Sequence, residues 1–573
     1  MSSELASAHS AQVQPAVTAV SATRMMADLK RLAQWTKVAA TPTEAESLAF
    51  VRSRFDDAGF KTETIWHEAY ISVPGPAHVM HGNTRLTAIT HSMAVSAPAA
   101  GLTADVVDVG EGEESDFAGK DLAGRIVMVN GIAVPATVLR ASRAGAAGVV
   151  HVSPHHLLHE MCVSPVWGSP SAETRGNLPS VVVVTVSEDD GRALREDMAR
   201  GPLKLTLHAS VDTGWRKTPL LVAELPPPDN AANAPFVLLS GHHDTWYEGV
   251  MDNGAANVAT IEVARICASL RDRWRRGLRV CVWSGHSQGR YSGSAWYADT
   301  YWSELEHRCV AHVNVDSLGA KGADILTNTG SAGGLFDIAA DAIKTESGQL
   351  LAGKRKARSS DESFPGIGIP SVFGSLSNQQ PSKKKMRNDL GWWWHTPLDL
   401  LDNIDGDNLA RDTRIVLRVV LDLLLERVLP IDYRRQVDDL GRELAALEHK
   451  LAGRLSLASL CGVAQQLSAT LTKLRDEAPS LPEARVNAAI VRLSRAIVPL
   501  DYTRGDRFTH DAALALSPWP ALAALRRLAA TTPDTDEARF AAVDAVRARN
   551  RVLFALAEAE EAARSAFSRM AGA

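Results

Sequence analysis

Four short motifs in this chain bring together residue types that bind metal ions and activate water. They are Gly241-His242-His243-Asp244-Thr245-Trp246, Met251-Asp252-Asn253-Gly254, Asn314-Val315-Asp316-Ser317 and Trp394-His395-Thr396-Pro397. Imidazole nitrogens and carboxylate oxygens are the donors a zinc-like ion takes. His242, Asp252, Asp316 and His395 are therefore the candidate ligands. A carboxylate can bridge two ions in a co-catalytic pair, so the set suits one or two ions. Asp244, two residues past His242, suits a supporting role in which its carboxylate fixes the histidine tautomer. Singly, each motif is weak: such residues also cap helices and make turns. Their order and shared placement carry the reading.

That placement comes from the elements around them. Residues 236–240 are an apolar run that reads as a strand, 279–284, 310–315 and 369–373 read as strands as well, and 257–270 reads as an amphipathic helix. Alternating strands and helices predict an α/β layer with a largely parallel core sheet. Ligands in such sheets sit outside the carboxyl ends of the strands, where all four motifs fall. Upstream, 25–59 reads as two helices. From about Pro74 to Val211 the texture changes to short β runs and Gly/Ser turns. Within it, 124–130, 147–152 and 179–186 are expected strands, with helices over 135–144 and 188–198. The tail beyond Asn408 is helical. Val437, Leu440, Leu444, Leu447 and Leu451 form an apolar seam, within a bundle or across a subunit interface.

The 573 residues are too many for one core, and the net charge of -5 gives no electrostatic argument for nucleic acid or a membrane surface. The run Lys383-Lys384-Lys385-Met386-Arg387 reads as a solvated loop. No apolar stretch is long enough to span a bilayer, and the start has no signal-peptide pattern. Cys162, Cys267, Cys281, Cys309 and Cys461 form no CxxC pair, which points to a reducing, cytoplasmic setting. His151, His155, His156, His159 and Cys162 would share a face if helical, but read better as residues lining a loop.

Taken together, the motifs resemble those of the co-catalytic zinc metallopeptidases, the group of bacterial aminopeptidases, glutamate carboxypeptidase and the transferrin receptor. The resemblance implies that His242 and Asp316 serve the first metal, that Asp252 bridges, that His395 serves the second and that Asp244 orients His242. Ser360-Asp361 with Phe364 and Gly368-Ile369-Pro370-Ser371 resembles that family's substrate-side loop and following strand. The β-rich segment resembles a protease-associated domain, and the tail resembles a helical dimerisation domain. The implied organisation is a disordered start (1–24), a metallopeptidase-like domain (25–73 and 212–407), a protease-associated insertion (74–211) and a helical dimerisation-like domain (408–573). A homodimer follows as an expectation.

One departure stands out. The family pattern "W-x-x-E-E-x-G-L-x-G-S" carries a general-base glutamate and a ligand glutamate. Here Trp283-Ser284-Gly285-His286-Ser287-Gln288-Gly289-Arg290-Tyr291-Ser292-Gly293-Ser294 has no carboxylate and one extra residue. His286 is the one strong base or ligand in the stretch, able to move protons near neutral pH or to bind metal. Glu248 is a possible replacement carboxylate, and Asp361 a weaker one. Trp246, Tyr247, Ser287, Asp361 and Trp394 are candidates for the substrate side. The expected activity is metal-dependent hydrolysis of an amide-type bond in a peptide or small N-acyl substrate, with zinc or another divalent transition metal. The alternative is a receptor-like scaffold without turnover.

Overall fold

In strands β8 (Phe236–His242), β9 (Gly277–Trp283) and β10 (Cys309–Asp316) of the computed structural model, every residue is buried. Strands apolar on both faces require cover on both sides. The structure describes residues 13–568 apart from 230, 232 and 382–388, so the basic run at 383–387 lies outside the described residues. Strand β8 pairs in parallel with β9 and with β10, and β10 pairs in parallel with β11 (Ser371–Ser375). The helices Ala22–Leu32, Pro42–Asp57, Ala256–Ala268 and Gly406–Leu425 contribute to the large apolar cluster on one face. Tyr297, Leu305, Phe364 and Ile367 pack with Phe236, Leu238 and Trp283 on the other. The expected α/β layer with a mostly parallel core is the one observed.

Two long strands carry this sheet into the β-rich segment 74–211. Strand β1 (Lys61–His81) pairs antiparallel with β7 (Lys204–Leu225), from Lys61 opposite Glu224 to Met80 opposite Thr206. The far end of β7 joins β9, Leu221 facing Val282. The remaining strands are β2 (Thr84–Thr90), β3 (Leu102–Asp108), β4 (Ile126–Asn130), β5 (Gly148–Val152) and β6 (Val182–Val186). All eleven form one sheet in the order β1-β2-β6-β5-β4-β3-β7-β9-β8-β10-β11, with β1 also pairing with β7. Parallel β4, β5 and β6, with helices Pro135–Arg143 and Glu188–Met198, follow the strand and helix order expected between 124 and 198, and these strands pack in a separate apolar cluster. The expected boundaries at 73/74 and 211/212 fall inside strands, since Pro74 pairs with Val211. Pro74-Gly75-Pro76 reads as a break in sequence. In the fold it sits where the register shifts between Pro74 and Ala77, a bulge that tolerates proline.

One further expectation is revised, and one left open is decided. The start was expected to be disordered through residue 24, yet 13–18 is helical, with Val13 and Val17 buried. The seam from Val437 to Leu451 is buried inside the chain. It lies on the helix Arg434–Leu451, which packs on the helix Ala458–Glu477, so it is a bundle contact. Exposed apolar residues lie elsewhere in the tail, at Phe540, Val543 and Phe554 of the helix Asp536–Ser565.

Candidate metal centre

His242 ends β8 and Asp316 ends β10. Asp252 lies in the irregular turn Val250–Ala255 that leads into the helix Ala256–Ala268. His395 follows β11 in a loop, with φ 59°. The carboxyl edge of the parallel strands thus gathers four side chains from distant segments. His242 Nε2 lies 3.0 Å from Asp252 Oδ1 and 3.6 Å from Asp316 Oδ1. His395 Nε2 lies 2.9 Å from the other oxygen of Asp252, Oδ2. All four residues are buried, and among the described residues His242 Nε2 and Asp252 Oδ1 face each other as an ion pair without a well-formed hydrogen bond. Two buried carboxylates crowded around one imidazole are costly, and a coordinated cation removes that cost. The imidazole and carboxylate donors around these atoms fit a divalent ion.

The charges follow the same logic. Burial alone would lower His242, but the carboxylates of Asp252 and Asp316 hold it well above the ordinary histidine value. Burial alone would raise Asp252, but His242 and His395 hold it well below the usual carboxylate range.

A second layer holds these donors in place. The Nδ1–H of His242 donates to the backbone carbonyl of Asp244 at 2.9 Å. The contact of Asp244 with His242 thus runs through its carbonyl and not, as expected, through its carboxylate. Its carboxylate instead accepts the N–H groups of His286 (3.0 Å) and Ser287 (2.8 Å), because the loop after β9 folds over it. Asp399 accepts the N–H groups of Met251 and Asp252, at 2.9 and 3.1 Å. Burial pushes its carboxyl up to about 7. Ser360 Oγ donates to Asp316 Oδ2 at 2.6 Å. The Nδ1–H of His395 donates to the carbonyl of Glu160 at 2.6 Å.

His286 lies beside this cluster. Its ring stacks on His242, with centroids 3.7 Å apart and planes 11° from parallel, and the edge of Tyr291 meets it at 4.9 Å. His286 Nδ1 is 2.9 Å from Asp361 Oδ2, and Asp361 is fully buried. Asp361, expected on the substrate side, is thus the hydrogen-bond partner of His286. Ser287 is buried beside it. Glu248 is half-buried in the loop after β8, where its backbone carbonyl takes the Lys37 ammonium at 2.6 Å. Among the described residues its carboxylate makes no hydrogen bond or ion pair with the cluster, so the fold does not place it as a replacement for the missing glutamates.

The aromatic candidates flank His395. Trp394 stacks on its ring at 3.4 Å and is buried, while Trp246 stands 6.0 Å away. The Tyr247 hydroxyl donates to Glu160 Oε1 at 3.3 Å. Glu160 was missed by sequence reasoning: it belongs to the β-rich segment 74–211 and to no motif, and burial pushes its carboxyl up to about 8. His155, His156 and His159 lie in irregular chain, as expected, but His151 lies in strand β5, so the loop reading fails for it. His159 Nε2 meets His155 Nε2 at 2.9 Å, and His159 Nδ1 meets the carbonyl of Trp394 at 2.5 Å.

Architecture and site together define a class: the fold is that of the zinc aminopeptidases. A zinc aminopeptidase of Bacillus subtilis superposes with a TM-score of 0.56 at 19% identity, over 71% of this chain and 96% of that one. An aminopeptidase from Aneurinibacillus sp. strain AM-1 gives 0.54 at 22% identity, over 71% and 95%. Residues 221–420 match the sequence model of Peptidase family M28. That segment contains all four candidate ligands. In sequence, a probable glutamate carboxypeptidase of Zea mays is 23% identical over 560 residues, covering 82% of this chain and 76% of the relative. An aminopeptidase of Bacillus subtilis (strain 168) is 22% identical over 349 residues, covering 59% and 70%.

Proposed function

We propose that this chain is a metal-dependent hydrolase of amide-type bonds, acting on a peptide or a small N-acyl substrate. The observation that carries the reading is the convergence of the buried side chains of His242, Asp252, Asp316 and His395 at the carboxyl edge of the sheet. His242, Asp252 and Asp316 hold zinc or another divalent transition metal, and His395 engages the far oxygen of Asp252. Such an ion supplies Lewis acidity that polarises the scissile carbonyl and lowers the pKa of water. His286 takes the proton of the attacking water at its outer nitrogen, since Nδ1 faces Asp361. The same imidazolium returns the proton to the leaving nitrogen. Asp244 fixes the loop that carries His286. Trp246 and Tyr247, next to His395, line the approach for substrate.

A receptor-like binding protein is the second reading, favoured by the absence of both glutamates after Trp283. Metal analysis of the purified chain, with hydrolysis assays on peptide and N-acyl panels before and after chelation, separates the two. Stoichiometric metal with turnover lost on chelation and restored by zinc supports the hydrolase. Metal-free protein without turnover supports the scaffold.

The remaining parts of the reading concern assembly and setting. The segment 74–211 serves as a protease-associated insertion and 408–573 as a dimerisation domain. The free cysteines, buried or half-buried, support a reducing, cytoplasmic location. No helix among the described residues is long and apolar enough to cross a membrane.

A further inference from the structure

The loop after β9 raises a question of ion count. A two-ion centre needs a further donor beside His395, and the stretch Trp283–Ser294 offers no carboxylate. His286 is the obvious substitute. One of its nitrogens lies within 4.8 Å of ligand atoms of both His242 and Asp316. Its orientation argues against coordination there. A histidine nitrogen binds an ion along its lone pair, in the plane of the ring, at about 2.0–2.1 Å for zinc. The rings of His242 and His286 lie face to face, 3.7 Å apart and 11° from parallel. Two rings stacked in this way cannot both place one ion in their planes. The other nitrogen of His286 is committed to Asp361.

The neighbouring carboxylates do not fill the gap. Asp244 is taken by two backbone N–H groups and Asp399 by two others. Asp361 Oδ1 and Glu160 Oε2 are unpartnered. Among the described residues, neither carboxylate makes a hydrogen bond or ion pair with His395. His395 therefore meets a single donor oxygen, Asp252 Oδ2, at 2.9 Å. Its other nitrogen is fixed by the carbonyl of Glu160. This is the geometry of an outer histidine that clamps a ligating carboxylate.

We infer that the centre holds one tightly bound divalent ion, on His242, Asp252 and Asp316, and that His395 positions Asp252 instead of completing a second site. Three protein donors with an open fourth position is the pattern of single-ion catalytic zinc sites. The inference rests on the metal dependence proposed above, but its test can fail separately. Full-length protein is stripped with a chelator, reloaded with zinc, dialysed and analysed for zinc per chain, with zinc affinity measured by calorimetry.

The expected result is one zinc per chain in the wild type. His286→Ala keeps that one zinc, and His395→Ala binds it about 10- to 100-fold more weakly. Two tightly held zinc ions per wild-type chain overturn the inference and leave the metal-dependent reading standing. No zinc at all overturns both. Loss of the ion in His286→Ala, with an unchanged circular dichroism spectrum, also overturns it by making His286 a ligand.

Discussion

His286 Nδ1 lies 2.9 Å from Asp361 Oδ2, and this contact joins the loop after β9 to the loop before β11. A buried carboxylate against one nitrogen fixes which nitrogen carries the proton and presents the other to the cluster. His286→Ala is expected to lower the maximal rate by roughly two to four orders of magnitude, the range of a positioned acid–base group. Asp361→Asn is expected to cost less, about 10- to 100-fold, the usual loss when a hydrogen-bond partner of a functional histidine goes. Steady-state kinetics beside metal content check this. Wild-type rates in both variants would make the pair structural.

His242→Ala and Asp316→Ala are each expected to lose the bound ion and all turnover. Each removes one of three donors from a site whose affinity depends on donor number. Elemental analysis after dialysis decides the matter, and wild-type metal content in both would mean the ligands are elsewhere.

Asp244 accepts two backbone N–H groups, those of half-buried His286 and buried Ser287. Asp244→Ala should therefore cost about 1–3 kcal/mol of stability for each group left unsatisfied. A urea titration followed by circular dichroism measures the shift in midpoint. An unshifted midpoint would show that water or a rearranged loop replaces the carboxylate.

The helix Asp536–Ser565 leaves Phe540, Val543 and Phe554 exposed on one face. Exposed apolar residues sharing a helix face mark a contact surface. The chain is expected to run as a homodimer in light scattering at micromolar concentration, and Phe540→Glu with Phe554→Glu to halve its mass. A monomeric wild type would refute the assembly.

Acid should destabilise the inserted segment through His151. Burial lowers His151 from its ordinary 6.5 to about 4. Between those values the unfolded chain binds more protons than the folded one, so stability is lost as pH falls from 6.5 towards 4 and is fully present above 6.5. The contribution is on the order of 3 kcal/mol at most, from a difference of about 2.5 in pKa. Urea midpoints at pH 7 and pH 5 should differ less in His151→Phe than in the wild type. Equal differences would place the acid sensitivity in other groups.

Much of this protein is determined by the sequence itself. The strands behind the cluster are legible because buried parallel strands are rich in apolar residues, as 236–240 shows most cleanly. The candidate ligands are legible because His242 and Asp316 end such runs, and strand ends are where parallel sheets place ligands. The helices at 135–143 and 188–198 are legible from their periodicity and their starts. What only the tertiary structure decides are contacts between segments that no local pattern links. Asp361 meets His286 across 75 positions, and Glu160 of the inserted segment meets His395 across 235. The choice between the carbonyl and the carboxylate of Asp244, and the stacking of His286 on His242, depend on how one loop folds over another. Local spacing specifies which atoms are available. Their orientation is set by the packing of loops whose conformations are determined by the elements around them and not by their own residues.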